Sequence, residues 1–286
     1  MNGFLIVDKE LRYTSRDVVN IISKATGTKK VGHTGTLDPM ASGVLVVCVG
    51  SALKLCELLT NHDKEYIASI TLGIETDTLD MEGNVLSTKT VDIAQSKIVE
   101  AVKSFKGSYL QEVPKYSAVK VNGKKLYEYA RKNIDMILPS KMVDINEIEI
   151  IDDIEYVDGK INFKIKTTVS KGTYIRSLVR DIGKKLDCPA VMSGLIRTRV
   201  GNFKIDKAYA IDDIKSGDFK LMPTVDLLSD MNQIIVNDDL VKKIRNGVIL
   251  EPFFEGDMAV IFDKNNNLIA IYQNKDNKAR VYKMFV

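Results

Sequence analysis

The sequence is poor in cysteine, histidine and proline and has no long apolar run. Its three cysteines, Cys48, Cys56 and Cys188, lack C-x-x-C spacing, and the two histidines lie far apart, so we expect neither a disulfide framework nor a structural zinc site. The longest apolar run, at 44–49, is far shorter than the roughly 18 residues of a membrane-spanning helix. The first apolar stretch meets an acid too early to form a signal-peptide core. These absences predict a protein of the reducing cytoplasm that does not enter a membrane.

The composition is that of a globular protein. Apolar residues make up 45% of the 286 residues and charged residues 28%, which excludes a disordered or collagen-like chain. The length exceeds that of a typical single domain, so we expect one large domain or two unequal ones.

The net charge of +3 hides a segregated charge distribution. Residues 114–142 carry seven Lys or Arg against two acids, and residues 160–207 carry twelve against three. Between them, residues 144–158 carry seven acids and no base. Each segment alone is most simply a solvated face, and an acidic strand edge also discourages aggregation. The two basic segments fit a polyanionic partner, which needs independent support from the motifs.

Hydrophobic periodicity predicts mixed strands and helices without a regular βαβ repeat, which is typical of an α+β fold. Strands are predicted at 3–7, 44–49, 65–73, 143–151, 160–169 and 190–200. Helices are predicted from a Thr14 cap to Gly27 and at 51–60, 92–105, 126–131, 173–186 and 211–216. After about 232, short alternating runs separated by Asn-rich turns predict a small antiparallel sheet or barrel. We therefore place a large domain at 1–232 and a small one at 233–286.

The loop after the first helix carries the main candidate for chemistry. Its sequence, GHTGTLDP at 32–39, lacks the Gly-Lys-Ser/Thr ending of a phosphate-binding P-loop, so a nucleoside triphosphate is not indicated. Pro39 biases Asp38 toward an extended conformation that displays its carboxylate, and the glycines let a ligand approach the backbone. From these residues alone, Asp38 is more often a turn former than a catalyst, and His33 is more often a hydrogen-bonded loop residue than a base.

Four blocks of sequence, in the same order, resemble the TruB family of tRNA pseudouridine synthases. GHTGTLDPMASGVL resembles the family's catalytic motif, whose aspartate corresponds to Asp38. DKEYIASITLGIETDTLDMEGNV resembles the segment with the active-site tyrosine, here Tyr66. SKGTYIRSLVRDIG resembles the segment with the arginine that pairs with the aspartate, here Arg176. YSAVKVNGKKLYEYAR resembles the RNA-binding thumb, which we place at about 114–142. The resemblance covers about 3–230, and the tail more weakly resembles a reduced PUA module.

The resemblance implies both a fold and a function. The fold is the α+β pseudouridine synthase fold, a mixed and largely antiparallel sheet with flanking helices, followed by a small β-rich, PUA-like C-terminal domain. The reaction converts the uridine at position 55, in the T-loop of the TΨC arm of tRNA, into pseudouridine. No cofactor, metal or guide RNA is expected, because exchanging an N1–C1′ bond for a C5–C1′ bond needs a nucleophile but no redox carrier. The expected partner is the T-arm of tRNA, bound by a monomer without an obligate protein partner.

The resemblance also implies catalytic roles. Asp38 would form a covalent adduct with the target nucleoside, at either C1′ or C6, and Arg176 would keep the carboxylate charged and aligned. Tyr66 would stack on the flipped base and accept the C5 proton. Without the resemblance, Tyr66 in its apolar strand would be assigned to the core.

The resemblance implies that further residues bind the substrate. His33 would replace part of the stacking of the flipped base, and Tyr174 and Leu195 would line the pocket beside Tyr66. Contacts to the RNA backbone are expected from Lys64, Lys115, Lys120, Lys124, Lys125 and Arg131.

Four residues depart from the family pattern. Glu10 and Arg12 replace the proline and glycine of the usual Asp-Lys-Pro-x-Gly opening, which puts the conformation of the first loop in question. Asn133 stands where the family often has glycine after the thumb helix, and asparagine also adopts the left-handed conformation. Ile196 replaces an arginine, which removes one positive charge near the site.

Two other functions fit parts of the sequence. A tRNA-folding chaperone would use the same groove, but a pure binder has no reason to keep Asp38, Tyr66 and Arg176 together. The guide-RNA-dependent branch of the superfamily shares the GHTGTLDP loop and works inside a ribonucleoprotein. The thumb GKKLYEYAR and the small tail instead resemble the stand-alone bacterial type, so the sequence predicts an enzyme that acts alone.

Overall fold

The computed structural model describes residues 1–285 and shows an α+β protein. The strands, in chain order, are β1 (Gly3–Lys9), β2 (Val31–His33), β3 (Ala41–Val49), β4 (Lys64–Leu72), β5 (Ile74–Thr76), β6 (Val85–Thr88), β7 (Gly107–Glu112), β8 (Lys120–Val121), β9 (Lys124–Lys125), β10 (Ser140–Ile150), β11 (Glu155–Val157), β12 (Lys160–Val169), β13 (Ala190–Val200), β14 (Phe203–Lys204), β15 (Asn232–Ile235), β16 (Met258–Phe262), β17 (Leu268–Lys275) and β18 (Lys278–Met284). The helices are α1 (Ser15–Thr26), α2 (Cys56–Leu59), α3 (Gln95–Lys103), α4 (Leu126–Ala130), α5 (Ile175–Lys185), α6 (Ile211–Ser216) and α7 (Asp238–Arg245). None of these helices within 1–285 is long and apolar enough to cross a membrane.

One large sheet forms the centre of the molecule. Its main strand order is β1-β3-β13-β4-β12-β10-β7, with β2, β11 and β14 attached at the side. The β13–β3 pair is parallel, and the other pairs in this sheet are antiparallel. The prediction of a mixed, largely antiparallel sheet is therefore confirmed.

The parallel pair brings two distant segments close together at the position of Gly43. Leu195 pairs with Ala41, and Arg197 pairs with Gly43. Gly43 has φ 101°, and a Cβ atom there would lie 2.3 Å from the carbonyl oxygen of Arg197. Only glycine fits this approach, because a side chain would be both strained and in collision with backbone. The approach places β13 directly beside the end of the GHTGTLDP loop.

Helices cover the sheet in two places. The apolar side chains of α3 and α5 pack on β4, β12 and β13, where they form the largest buried cluster. Helices α1 and α6 pack on one face of β1 and β3. Burial of these apolar faces supplies most of the stabilisation of both layers.

The predicted first helix is confirmed at both ends. The Thr14 hydroxyl accepts a hydrogen bond from the Asp17 N–H at 3.1 Å, and the Asp17 carboxylate accepts the Thr14 N–H at 2.8 Å. This reciprocal pair satisfies donors that the helix itself leaves free. Gly27 ends the helix in the left-handed conformation with φ 65°.

The predicted helix at 51–60 is only partly helical in the α sense. A 3₁₀ segment at Gly50–Leu55 precedes the single α-turn of α2. This 3₁₀ segment begins at the left-handed Gly50 and packs Ala52 and Leu55 into the core, so tertiary packing favours the tighter 3₁₀ winding.

The C-terminal sheet has the order β15-β16-β17-β18. The three alternating runs form β16, β17 and β18 as antiparallel neighbours, as predicted. The structure adds two elements that the runs did not predict: β15 pairs with β16 in parallel, and α7 connects them. A parallel pair needs such a crossover, and the Asn237 side chain caps it by accepting the Leu240 N–H at 2.9 Å.

The small C-terminal sheet does not stand apart from the rest of the chain. Val260, Phe262 and Ile271 are buried in one cluster with Phe4 and Val44 of the central sheet. So few residues would form a marginal core alone, and the shared cluster supplies the missing burial. The division at 232–233 stays a prediction.

Two departures from the family pattern have a clear conformation. Arg12 adopts φ 71°, the left-handed region that the usual glycine favours, and its N–H donates to the Pro39 carbonyl at 2.8 Å. Asn133 has φ 51°, so the expectation that asparagine substitutes for glycine there is confirmed. The first loop is thereby tied to the loop that carries Asp38.

Candidate active site

A cavity of about 460 Å³ opens where the GHTGTLDP loop, β4, β13, the start of α5 and the root of the thumb meet. Six of the residues proposed from the sequence line it: Asp38, Lys64, Tyr66, Tyr174, Arg176 and Leu195. They come from segments that are far apart in the chain. The fold therefore brings the proposed catalytic residues to one concave site, as expected of an enzyme pocket.

Asp38 and Arg176 form an ion pair in this cavity. Asp38 Oδ2 lies 2.8 Å from Arg176 Nη2. The Asp38 side chain is 41% exposed, whereas that of Arg176 is only 9% exposed. The carboxylate thus faces the cavity with a fixed buried cation behind it, an arrangement that suits a nucleophile or an electrostatic stabiliser.

The guanidinium of Arg176 is held by four groups. Besides Asp38, it donates to the carbonyls of Thr78 at 3.0 Å and Tyr116 at 3.2 Å, and its Nη1 lies 3.5 Å from Asp80 Oδ2. The Asp80 side chain is 7% exposed. A planar guanidinium can satisfy all four groups at once because its donors point outward in a fixed fork. Arg176 therefore links the candidate nucleophile to a second, buried carboxylate.

Arg197 supports the loop that presents Asp38. Its side chain is almost fully buried, and Nε donates to the Val44 carbonyl at 2.7 Å. The terminal nitrogens donate to the carbonyls of Gly35 at 3.1 Å and Thr36 at 3.3 Å. Because this buried guanidinium donates hydrogen bonds to three backbone carbonyls, it holds the loop in a fixed position.

Two buried residues of the N-terminal segment lie near this loop, and one of them, Ser15, bonds it directly. The Leu37 N–H donates to Ser15 Oγ at 2.9 Å, and the Ser15 hydroxyl donates back to the Leu37 carbonyl at 3.2 Å. The Lys9 ammonium is fully buried and donates to the carbonyls of Glu10 and Tyr13 at 3.0 and 2.7 Å. Burial lowers the pKa of Lys9 to about 8.

Tyr66 and Leu195 lie on adjacent strands of the cavity wall. Tyr66 pairs with Arg197 across the β4–β13 ladder and is largely buried, with its side chain in the apolar cluster that also contains Leu37. Leu195 packs against the same cluster. Tyr66 therefore belongs both to the core and to the cavity, so the two interpretations of this residue are compatible.

Tyr174 lies immediately before α5 and lines the cavity beside Arg176. It is half-buried, and this burial raises the pKa of its phenol. A phenol that stays neutral can offer a stacking face or a hydrogen bond to an uncharged base.

His33 and Lys64 occupy less open positions. His33 ends β2 and is not among the cavity-lining residues; burial lowers the pKa of its imidazole, and its Nδ1 has no hydrogen-bond partner within residues 1–285. Lys64 lines the cavity, but its ammonium donates to the carbonyls of Thr60 and His62, and burial lowers its pKa to about 8. Their roles in RNA binding stay predictions.

The thumb forms a small hairpin, β8–β9, followed by α4. The Lys125 ammonium lies 5.3 Å from the centre of the Tyr127 ring, and the Arg131 guanidinium lies 5.4 Å from it. Lys120, Lys124 and Arg131 are exposed, and Lys115 and Lys125 are half-buried. Tyr127 lines the cavity whereas these five cations do not, so the thumb presents an aromatic face inward and positive charge outward.

Family comparison identifies the chain. Residues 23–175 match the model of the TruB family pseudouridylate synthase N-terminal domain, and residues 176–226 match that of the tRNA pseudouridylate synthase B C-terminal domain. The chain belongs to the TruB family. Pseudouridylate synthases are isomerases, so this TruB-family chain is an enzyme of that class.

Curated relatives and solved structures agree with the TruB assignment. The chain is 43% identical to tRNA pseudouridine synthase B of Bacillus subtilis (strain 168), over 95% of this chain and 93% of that protein. It is 41% identical to the protein of that name from Caldanaerobacter subterraneus subsp. tengcongensis, over 100% and 99%. A chain in a Cbf5-Nop10-Gar1 complex superposes with a TM-score of 0.72 at 25% identity, covering 99% of this chain and 85% of that one. The predicted pseudouridine synthase fold is confirmed.

The structure adds three site residues to those that the TruB resemblance named. Asp80 holds the far side of Arg176, Arg197 braces the Asp38 loop, and the buried Lys9 interacts electrostatically with Asp38 and Arg197. Asp80 was visible in the segment ETDTLDMEGNV, and Lys9 in the opening DKE, but no local pattern marks either side chain as buried.

Proposed function

We propose that this TruB-family chain converts the uridine at position 55 in the T-loop of tRNA into pseudouridine, with Asp38 as the nucleophile. The observation that carries the proposal is the 2.8 Å pair of Asp38 and Arg176 in a cavity walled by Tyr66 and Tyr174. The relatives at 41–43% identity carry the name tRNA pseudouridine synthase B, which supports tRNA as the substrate. We infer that it acts in the cytoplasm, where tRNA is found.

The reaction replaces the N1–C1′ bond by a C5–C1′ bond, removes the proton from C5 and adds one to N1. Asp38 attacks the nucleoside either at C1′, where it displaces N1, or at C6, after which the N1–C1′ bond breaks. The uracil rotates and C5 bonds to C1′. The bond to Asp38 is displaced by C5 in the first case and is lost by elimination from C6 in the second, so the carboxylate is regenerated in both. The C5 proton then leaves, and N1 gains a proton from solvent. Tyr66, which lines the cavity, is the group that we propose to take the C5 proton. No electrons enter or leave the reaction.

The target base must leave the RNA stack before it can reach Asp38. The cavity lies between the thumb root and the loop, and its volume falls in the range of small-molecule pockets. Tyr66, Tyr174 and Tyr127 offer aromatic faces there, which can compensate for the stacking that a flipped base loses.

We infer that the chain acts alone. The structural neighbours at about 25% identity include chains in a Cbf5-Nop10-Gar1 complex and in an H/ACA RNP bound to a substrate RNA. The bacterial relatives are far more similar in sequence and are covered almost completely by this chain. We further propose that residues 233–286 form a PUA-like accessory RNA contact outside the catalytic domain.

The proposed function is tested with the purified chain and an unmodified tRNA transcript, with no guide RNA, cofactor or second protein. Pseudouridine at a single T-loop position is the expected product, mapped by carbodiimide modification and primer extension. A tRNA with cytidine at that position is the matched control substrate. Absence of pseudouridine, with tRNA bound, would support the chaperone alternative instead.

Replacing Tyr66 by phenylalanine should separate stacking from proton transfer. The ring remains and the hydroxyl is lost, so we expect tRNA affinity to change little while turnover falls about 10²- to 10⁴-fold, the usual contribution of a positioned acid or base. Rapid-quench single-turnover assays should reveal rearranged base that stays on the enzyme.

The matched control is Tyr156→Phe, which removes a phenol bonded to the Ile93 carbonyl outside the cavity and should leave the rate unchanged. If Tyr66→Phe and Tyr156→Phe both react at the wild-type rate, Tyr66 is a stacking surface only.

Replacing Lys120, Lys124 and Lys125 by alanine should weaken tRNA binding for all sequences alike. Each lost phosphate contact removes nearly one released counterion, so the plot of log affinity against log salt should flatten by about two to three. Filter binding from low to high salt measures this slope. Alanines at Lys24, Lys97 and Lys103, three exposed lysines on α1 and α3, are the control. Equal slopes for the two triple variants would make the thumb lysines a solvated face.

A further inference from the structure

The buried amide of Gln111, at the end of β7, contacts the residue that precedes α5. Its Oε1 accepts the Tyr174 N–H at 2.8 Å, and its Nε2 donates to the Tyr174 carbonyl at 3.1 Å. Gln111 is 1% exposed, and these two bonds join residues that are 63 positions apart in the chain, while its Nε2 also donates to the phenol of Tyr109. One side chain therefore fixes both backbone groups of Tyr174.

Tyr174 needs such a partner because the N-terminus of α5 is otherwise uncapped. It occupies the N-cap position in an extended conformation, and its own side chain makes no capping hydrogen bond. The first N–H groups of a helix have no partner inside the helix, so an outside acceptor determines how the chain enters the first turn. Gln111 supplies that acceptor two residues before Arg176.

We propose that Gln111 is a positioning residue that aligns Arg176 with Asp38 by fixing the backbone of Tyr174. This inference rests on the function proposed above and adds a residue to its machinery. Gln111 touches neither the cavity nor a reacting atom. By fixing the backbone of Tyr174, Gln111 sets the direction of the first turn of α5. This direction determines where the side chain of Arg176 lies.

The same short segment also holds Arg176 from its other end. Five residues after Gln111, the Tyr116 carbonyl accepts a hydrogen bond from Arg176 Nη2 at 3.2 Å. The segment 111–116 thus contacts the backbone of Tyr174 at the helix entry and the guanidinium of Arg176. An error of 1 Å in a reacting group costs about 10²-fold in rate, so a shift of the helix entry should be visible in catalysis.

The neighbouring contacts between β7 and α5 provide a control. The Ser177 hydroxyl donates to the Glu112 carbonyl at 2.8 Å, and Arg180 bonds both the same carbonyl and the Glu112 carboxylate. Loss of the Ser177 hydroxyl leaves the Arg180 contacts in place, so it should not move the start of α5. Ser177→Ala therefore removes a buried bond at the same junction without touching Tyr174.

The test compares Gln111→Met with Ser177→Ala in single-turnover pseudouridine formation, tRNA binding and thermal unfolding. We expect Gln111→Met to lower the rate constant about 10- to 100-fold, with the tRNA dissociation constant within about twofold of wild type. Ser177→Ala should stay within about twofold in both. If Gln111→Met fails to fold, Gln111→Asn is judged by the same criteria, because its amide is one methylene shorter and cannot reach both backbone groups of Tyr174. A rate loss no larger than that of Ser177→Ala overturns the proposal.

A double-mutant cycle with Arg176→Lys shows whether Gln111 acts through the arginine. The Gln111→Met effect should largely disappear in the Arg176→Lys background, whereas independent, multiplying losses would overturn the proposal.

A second readout needs no activity. The guanidinium N–H signals of Arg176, assigned by their loss in Arg176→Lys, should exchange with water several-fold faster in Gln111→Met, and unchanged exchange would overturn the proposal. A wild-type chain that forms no pseudouridine refutes the proposed function, while this exchange measurement still decides the role of Gln111.

Discussion

Asp38→Asn is expected to abolish pseudouridine formation while leaving tRNA bound. The amide has nearly the same shape as the carboxylate but is a far poorer nucleophile, so the single-turnover rate should fall on the order of 10⁴-fold or more. The Asp38 side chain is 41% exposed and Arg176 keeps Asp80 as a partner, so folding stability should change by no more than about 1 kcal/mol. Tritium release from [5-³H]uridine-labelled tRNA measures the rate, and filter binding measures the affinity.

Asp152→Asn is the matched control for this experiment. Asp152 also forms a 2.8 Å ion pair, with Lys164, but its side chain lies outside the cavity and is about half exposed. The control variant should therefore react at the wild-type rate. Pseudouridine formation by Asp38→Asn at a rate comparable with that of Asp152→Asn would refute the nucleophile assignment.

The parts of the site that a contiguous motif encodes could be predicted from the sequence. Asp38 and Pro39 lie within the string GHTGTLDP, and Tyr174 and Arg176 lie within SKGTYIRSLVRDIG. Their resemblance to a known family supplied the pairing of Asp38 with Arg176, and the structure places the two side chains 2.8 Å apart. Physical reasoning on the same residues without the resemblance favoured a turn former at Asp38.

The supporting residues could not be predicted because their contacts depend on strand pairing. Arg197 reaches the carbonyls of Val44 and Gly35 only because β13 runs parallel beside β3, which joins segments about 150 residues apart. The backbone of Asp80 forms an isolated bridge with Met192 of β13, and its side chain lies beside Arg176. Periodicity reports which face of an element is apolar, but it does not report which elements become neighbours.

β15 and α7 were not predicted for a different reason. Only Ile234 and Ile235 are apolar in β15, so the strand produces almost no alternation, and α7 has just eight residues. The cap signal of α7 was present, with Asn237 before two acids and basic residues in the last turn. The three stronger alternating runs nearby favoured an all-β interpretation.

Arg176→Lys is expected to lower the rate of pseudouridine formation by about 10²- to 10³-fold although the positive charge remains. An ammonium donates from a single nitrogen, so it cannot reach Asp38, Asp80 and the two carbonyls at the same time. The carboxylate of Asp38 would then lose its fixed orientation, while tRNA affinity should change little.

Comparison with Arg176→Met separates orientation from charge. The methionine leaves the buried Asp80 without its cation, which should cost about 3–5 kcal/mol of unfolding free energy, whereas lysine should cost clearly less. Arg180→Lys, one turn later on α5, is the matched control, because Arg180 pairs with Glu112 and Asp181 outside the cavity. Its rate should equal that of the wild type. If Arg176→Lys also reacts at the wild-type rate, the fork geometry of the arginine is irrelevant, and charge alone accounts for its role beside Asp38.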